Sequence, residues 1–214
     1  MTIHLAAPDA RALEGFCRRQ LRWDARLHAR IVTTPRALGI FAAPPLGVLA
    51  FVAVPLRVAG VPVDATVQLA DLADALGDQT LDVDSLRRAI VPPGPAPSLA
   101  HLPPAEGWQV PMHAISGDLL PSVDAATREF TERSTGRSPS EQEEIAEEIW
   151  RRVAFGGLPL RSLHAARQLG MLTDDSSRVS AATCGHWKRL STVRGQVFSY
   201  AAGPAARLTL HVAR

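Results

Sequence analysis

The stretch ALGIFAAPPLGVLAFVAVPL, residues 37–56, contains twenty residues and no charged side chain. A membrane-spanning helix needs about 20 apolar residues, so the length alone would permit one. Prolines stand at positions 44, 45 and 55. Each would cost about 3 kcal/mol in the interior of a helix. We therefore predict two buried strands joined by the PPLG turn, and no membrane partner.

The flanking sequences extend this sheet and add a helix. RLHARIVT (26–33) and VPVDATVQL (61–69) alternate apolar and polar residues, as half-buried strands do. DARALEGFCRRQLRW (9–23) places an apolar stripe on one helical face and Arg11, Arg18, Arg19 and Arg22 on the outer one. The sequence predicts an N-terminal α+β subdomain, residues 1–90, with this helix and an antiparallel meander of about four strands.

A proline-rich segment follows, and a second subdomain begins after it. VPPGPAPSLAHLPP (91–104) has six prolines in fourteen residues, which predicts a semi-rigid connector over residues 91–106. In residues 107–214 we expect three helices, at 122–134, 139–154 and 159–169, followed by antiparallel strands. Ser138, Pro139 and Glu141 form the pattern of a capping box at the start of the second helix. The fold class predicted for the whole chain is α+β.

Three helices followed by a basic hairpin is also the order of a winged helix-turn-helix, which binds nucleic acid through its last helix and its wing. The residues that would contact bases or phosphates are Arg161, His164, Arg167 and Gln168 on the helix, and Lys188, Arg189 and Arg194 on the wing. Five glutamates in the middle helix, between positions 141 and 148, oppose this interpretation because they would repel a phosphate backbone.

The charge is distributed unevenly along the chain. The formal net charge is only +2, but the 59 residues from Gly156 onward carry eight basic side chains against two acidic ones. A polyanion would therefore meet this end of the chain. Of 23 basic residues only Lys188 is a lysine, a bias typical of GC-rich coding, so the arginine excess alone does not indicate nucleic acid.

The two cysteines, Cys17 and Cys184, give neither a disulfide framework nor the spacing of a metal finger. The start, MTIHLAAPD, has no basic leader followed by an apolar stretch, and we expect a cytoplasmic protein.

Two groups of residues have the side-chain types of a catalytic site. Cys184 and His186 in TCGHW could form a thiolate pair or half of a metal site, although a turn between strands explains the same residues. His113, Ser116 and Asp118 are the residue types of a hydrolase triad, but no G-x-S-x-G elbow surrounds the serine. The sequence gives no phosphate loop, dinucleotide motif or zinc motif, so we predict no cofactor and no metal.

The segments ALGIFAAPPLGVLAF, VDATVQLADLADAL and LPLRSLHAARQLGML, together with the closing tryptophan-containing hairpin, resemble a family of actinobacterial proteins without an assigned activity. This resemblance covers most of the chain and implies no catalytic residue.

We therefore predict a soluble, non-enzymatic protein that binds a protein partner. Two alternatives stay open at this point: DNA or RNA binding through the basic C-terminal region, and an enzyme of unknown reaction.

Overall fold

The structure is a computed structural model that describes residues 2–56, 62–88 and 99–200. Within these ranges the strands are β1 (Thr2–His4), β2 (His28–Thr33), β3 (Ala37–Ala42), β4 (Leu49–Pro55), β5 (Asp64–Gln68), β6 (Thr80–Asp82), β7 (Gln109–Ile115), β8 (Arg178–Cys184), β9 (Trp187–Thr192) and β10 (Gly195–Tyr200). The helices are α1 (Ala7–Leu21), α2 (Leu69–Gly77), α3 (Val83–Arg88), α4 (Ser116–Ser134), α5 (Pro139–Arg151) and α6 (Leu160–Gln168). The α+β prediction is confirmed.

One antiparallel sheet runs through both halves of the chain, in the order β5-β2-β3-β4-β10-β9-β8-β7. The halves join where β4 pairs with β10, with Phe51 opposite Gln196 and Leu49 opposite Phe198. Strands β2, β3 and β4 pair in sequence order and form the antiparallel meander that was predicted. The fourth strand, β5, returns to pair with β2 because β10 occupies the outer edge of β4. Strands β1 and β6 form a separate pair.

The quoted apolar stretch forms β3 and β4 at the centre of this sheet. Side chains such as Ile40 and Val52 belong to the core between the sheet and the helices. On the opposite face, Phe41 and Leu49 pack with Phe198 and Leu99. Because both faces of this stretch are buried, it lacks the alternation of apolar and polar residues that a half-buried strand shows. Among the helices that the structure describes, none combines the length and hydrophobicity needed to cross a membrane.

The capping box predicted for α5 is present. The side chain of Glu141 accepts the backbone N–H of Ser138 at 2.8 Å, and the Ser138 hydroxyl accepts the N–H of Glu141 at 3.4 Å. In contrast, α4 begins at Ser116, earlier than the predicted residue 122, and contains Pro121. Tertiary hydrogen bonds hold its first turn, because Ser116 N donates to Ser177 O and Gly117 N donates to Asp175 O.

Residues 99–108, the strap, cross the face of the sheet opposite the core that the described helices cover. Leu99, Leu102 and Trp108 pack there against the aromatic side chains of the sheet. Arg30 of β2 donates to the carbonyl oxygen of Leu99 at 2.8 Å. Residues 99–106 of the strap are the end of the predicted proline-rich connector, whereas residues 91–98 lie outside the described residues. The division of the chain at residues 90 and 107 stays a prediction.

Candidate functional site

A groove with a volume of about 400 Å³ lies where the first half of the chain meets the second. We call it the inter-half groove. Helix α1 and strand β4 line one part of it, and the turn after α6 and the β9–β10 turn line the other. Six apolar side chains form its floor: Leu13, Phe16, Val52, Val54, Leu169 and Met171. Its rim carries Asp9, Arg19 and Arg194, together with Val193, whose exposed fraction is 69%.

One wall of the groove is the end of β4. Leu56 N donates to Arg36 O at 2.8 Å, so the alternating pattern of an antiparallel ladder directs the backbone groups of Val54 toward β3 and those of Ala53 away from it. The ladder between β4 and β10 ends at Phe51 and Gln196. Ala53 therefore lies beyond the described partner strand, with its peptide groups directed to the side of the groove.

The β9–β10 turn ends that ladder because it packs very closely on β4. Gly195 has φ +152°, and a Cβ at this position would lie 2.7 Å from Met171 Cε and 2.8 Å from the carbonyl oxygen of Phe51. Thr192 Oγ1 closes the turn, since it donates to Gly195 O at 3.0 Å and accepts from Arg194 N at 3.1 Å. A side chain at residue 195 would push the turn away from the groove.

Arg19 crosses from α1 to the second half of the chain. Its guanidinium lies against Gly170, where an added Cβ would be 3.8 Å from both Arg19 Cζ and Arg19 Nε. Gly170 has φ +70° and ends α6 in a Schellman motif, with Met171 N donating to Ala166 O at 2.7 Å. Within the described residues, the buried Nε of Arg19 has no hydrogen-bond partner. Burial, and then the nearby Arg22 guanidinium, lower the pKa of Arg19.

The sequence predicted Arg19 on the outer face of α1, and the structure places it at the rim of the groove. The residue is only partly exposed because the turn after α6 covers it. The apolar spacing of α1 could not reveal this, since the covering residues come from the other half of the chain. Ala53 was also missed as a site residue, because its position beyond the β4–β10 ladder depends on where β10 begins.

The predicted nucleic-acid residues of α6 are mostly engaged within the protein. Arg161 donates to Glu147 at 2.7 Å, and Arg167 forms an ion pair with Asp124. The ring of His164 stacks on Trp150 with 4.2 Å between centroids, and burial lowers the pKa of His164. Gln168 is exposed.

The predicted wing residues lie in internal strands of the sheet or in the turn between them. Lys188 donates to Gly157 O on the helix side, whereas Arg189 lies over the Trp108 ring on the strap side. Arg194 in the turn donates to Asp175 at 2.9 Å. The structure thus places Lys188 and Arg189 on opposite faces and does not gather the seven residues on one surface. The nucleic-acid site stays a prediction.

A second cleft, of about 450 Å³, lies between α5, α6 and the β3–β4 turn, and Trp150, Arg161 and His164 line it. Glu129 and Glu148 alternate with Arg133 and Arg152 in a cluster that joins α4 to α5, with N–O distances of 2.5–2.8 Å. Three of the five glutamates that oppose polyanion binding are thus paired with arginines: Glu148 in this cluster, Glu141 with Arg137, and Glu147 with Arg151 and Arg161.

The side chains weighed for catalysis make structural contacts. Cys184 Sγ donates to Glu106 O at 3.6 Å, and the ring of His186 lies 5.8 Å from that of Tyr200. Ser116 Oγ donates to Thr173 O at 2.6 Å and accepts from Thr173 N at 2.9 Å. In the three described ranges, no group of three or more histidine, cysteine or acidic residues could hold a metal ion.

The fold is similar to that of two bacterial polymerase III beta subunits. Caulobacter crescentus pol III beta shares 12% identity with a TM-score of 0.57, over 99% of this chain and 69% of that one. The Pseudomonas aeruginosa DNA polymerase III subunit beta shares 11% identity with a TM-score of 0.52, over 99% of this chain and 68% of that one. The chain thus spans about two thirds of the length of these proteins, and the likeness concerns the fold.

Two family models match the sequence one after the other. Residues 1–99 match the model described as Domain of unknown function (DUF8010), and residues 103–204 match Domain of unknown function (DUF8185). No curated protein matches the chain. The resemblance to a family without an assigned activity is confirmed.

Proposed function

We propose that this chain is a non-enzymatic binding protein that holds an extended segment of a partner protein in the inter-half groove. The observation that carries the proposal is the end of β4. Ala53 directs its peptide groups toward the groove beyond the last pair with β10, and an apolar floor lies directly beside it. A strand added at such an edge gains backbone hydrogen bonds, and its alternate side chains reach the floor.

The outer edge of the sheet at β7 is less suited to strand addition. Pro111 lies within β7 and cannot donate a backbone hydrogen bond. The register of β7 also shifts between Gln109 and Met112, a bulge of the kind that protects edges from further pairing. The β4 edge at Ala53 has neither feature, although its length is limited by Pro55.

The fold supports a binding role. Its structural neighbours with TM-scores above 0.5 are named as polymerase beta subunits. A fold shared with such subunits is compatible with a protein that acts by binding other macromolecules. Because fold does not fix function, the proposal depends on the groove and not on this likeness.

The experiment is a selection of random octapeptides, displayed on phage, against the full chain. Ala12 is an exposed groove residue of α1, so Ala12→Trp fills the groove without entering the core. The matched control is Ala125→Trp, at an exposed position of α4 outside the groove. We expect selected peptides to bind the chain and the control equally, and Ala12→Trp at least about tenfold more weakly. Failure to select any peptide, or equal binding to both variants, would overturn the proposal.

Nucleic-acid binding is the second candidate, favoured by the basic side chains after Gly156. It predicts an increase in the anisotropy of labelled duplex DNA at low salt that weakens steeply as salt rises. Replacing Arg161 and Arg167 together by glutamine would then flatten the salt response. No anisotropy change at low salt would contradict this candidate and leave the peptide proposal unaffected.

The proposal also includes a boundary between two sequence units and a cellular compartment. We place the boundary between two sequence units at the connector, and the meeting of the two family models between residues 99 and 103 supports this. We place the protein in the cytoplasm, and the free thiols of Cys17 and Cys184 support this compartment.

A further inference from the structure

We propose that Arg19 makes the inter-half groove selective for a segment that carries an acidic side chain next to its apolar residues. This inference rests on the proposed function. Its basis is a guanidinium that lines the groove, is partly covered by the turn at Gly170 and has no acceptor for its Nε among the described residues.

Two other arginines near this point, Arg194 and Arg18, already have partners. Arg194, the second arginine of the groove, donates to Asp175 and to Thr173. Arg18, the neighbour of Arg19 on α1, pairs with Glu14 and Asp74. In the part of the chain that the structure describes, Arg19 is therefore the groove cation with unused hydrogen-bonding capacity.

A partly buried cation without a counter-charge is unfavourable in the empty groove. Burial removes water from the guanidinium, and Arg22 adds a second positive charge beside it, as the lowered pKa of Arg19 reflects. A carboxylate bound at this point would offset both effects and could accept two N–H groups at once. The Nε itself is buried, so a carboxylate in the groove would accept from the two Nη groups, for which the described residues also give no hydrogen bond.

The groove also has a direction. Asp9 and Arg19 are ten residues apart on α1, which corresponds to about 15 Å along the helix axis. The carboxylate of Asp9 therefore marks the opposite end of the groove and repels a second acidic group there. A bound segment should place its acidic residue at the Arg19 end only, which fixes the orientation of the segment.

The same octapeptide selection tests this inference separately from the proposed function. We expect peptides selected on the native chain to contain Asp or Glu at one position beside apolar residues. Selection on Arg19→Gln should keep the apolar preference and lose the acidic one, whereas Arg11→Gln, at an exposed position of α1 outside the groove, should keep both. Arg19→Lys should restore part of the acidic preference because it restores the charge.

Affinities give the second readout. A selected acidic peptide should lose about tenfold in affinity when its acid becomes an amide, and this loss should vanish on Arg19→Gln. Apolar peptides without acidic enrichment on the native chain would overturn the inference and leave the proposed function standing. Selection of no peptide would overturn both. Displacement of the peptide by millimolar inorganic phosphate, without any effect of the peptide's acid, would overturn the inference in favour of a free-anion site.

Discussion

The guanidinium of Arg189 lies 4.4 Å from the centre of the Trp108 ring. This contact joins the strap to β9 in the sheet. Trp108 has two further contacts, because its Nε1 donates to Pro104 O at 2.8 Å and its ring packs 5.7 Å from that of Phe198. Burial lowers the pKa of Arg189, so the arginine is part of the packing and not a solvated charge.

Arg189→Ala should therefore lower the thermal stability of the protein. A cation–π contact of this kind contributes about 0.5–2 kcal/mol, so we expect a decrease in Tm of about 2–6 °C. Tryptophan fluorescence should shift to the red as Trp108 gains contact with water. Arg178→Ala, at an exposed position of β8, is the control and should leave Tm unchanged. Equal Tm values for the two variants would show that the contact does not hold the strap.

Gly156→Ala should destabilise the protein more than Gly136→Ala. Both glycines have positive φ, +59° and +74°, so both substitutions carry a similar backbone cost. A Cβ at residue 156 would overlap the Cβ of Ala181 in β8, whereas at residue 136 it would meet no atom of the described residues within 4 Å. We expect a difference of about 1–3 kcal/mol in the free energy of unfolding, measured by urea denaturation. Equal free energies would contradict the packing of the 155–157 turn on β8.

The two thiols should react at very different rates. Cys17 is fully buried in the core, and burial, followed by the charge of Glu14, raises its pKa to about 12. Cys184 is partly exposed at the end of β8. Titration of the native protein with a thiol-specific disulfide reagent at pH 8 should detect one fast thiol, and Cys184→Ser should remove it. Two fast thiols in the native state would contradict the burial of Cys17.

The ion cluster between α4 and α5 should make stability depend on acid pH. Hydrogen bonds from Arg152 and Arg133 lower the pKa of Glu129 to about 2, and hydrogen bonds from Arg133 and Arg152 lower that of Glu148 to about 2. Because both values fall below the ordinary 4.5, the stabilisation is complete above pH 4.5 and is lost as the pH falls toward 2.

The double variant Glu129→Gln and Glu148→Gln should have a lower Tm than the native protein at pH 7, by a few degrees at most because the groups are exposed. This difference should shrink as the pH falls from 4.5 toward 2. Glu132→Gln with Glu144→Gln, at exposed positions of the same helices, is the control. A difference in Tm that does not change with pH would show that charge pairing is not its cause.

The sequence predicted the features that depend on local chemistry. Ser138 and Glu141 lie within four residues of each other and are sufficient to determine a helix start. The prolines around Leu46 exclude a long helix there, independently of the rest of the chain. Pairings between distant segments could not be predicted in this way. The contact of Phe51 with Gln196 depends on two strands from different halves, and nothing in either strand specifies the other.

The candidate site lies where that distant pairing ends. Ala53 lies beyond the ladder because the last pair, Phe51 with Gln196, stops two residues short of it, and Arg19 loses water because Gly170 lies against it. The predicted nucleic-acid residues illustrate the opposite case. Their charges are evident in the sequence, but their pairing with residues such as Glu147 and Asp124 depends on the tertiary structure.

Amide hydrogen exchange at Ala53, with and without a saturating selected octapeptide, tests the central claim most directly. If a bound segment adds a strand to the end of β4, the Ala53 N–H becomes hydrogen bonded and its exchange should slow at least about tenfold, while the exchange of Glu144 on α5 stays the same. Unchanged exchange at Ala53 in the saturated complex would contradict the claim that this edge receives the partner.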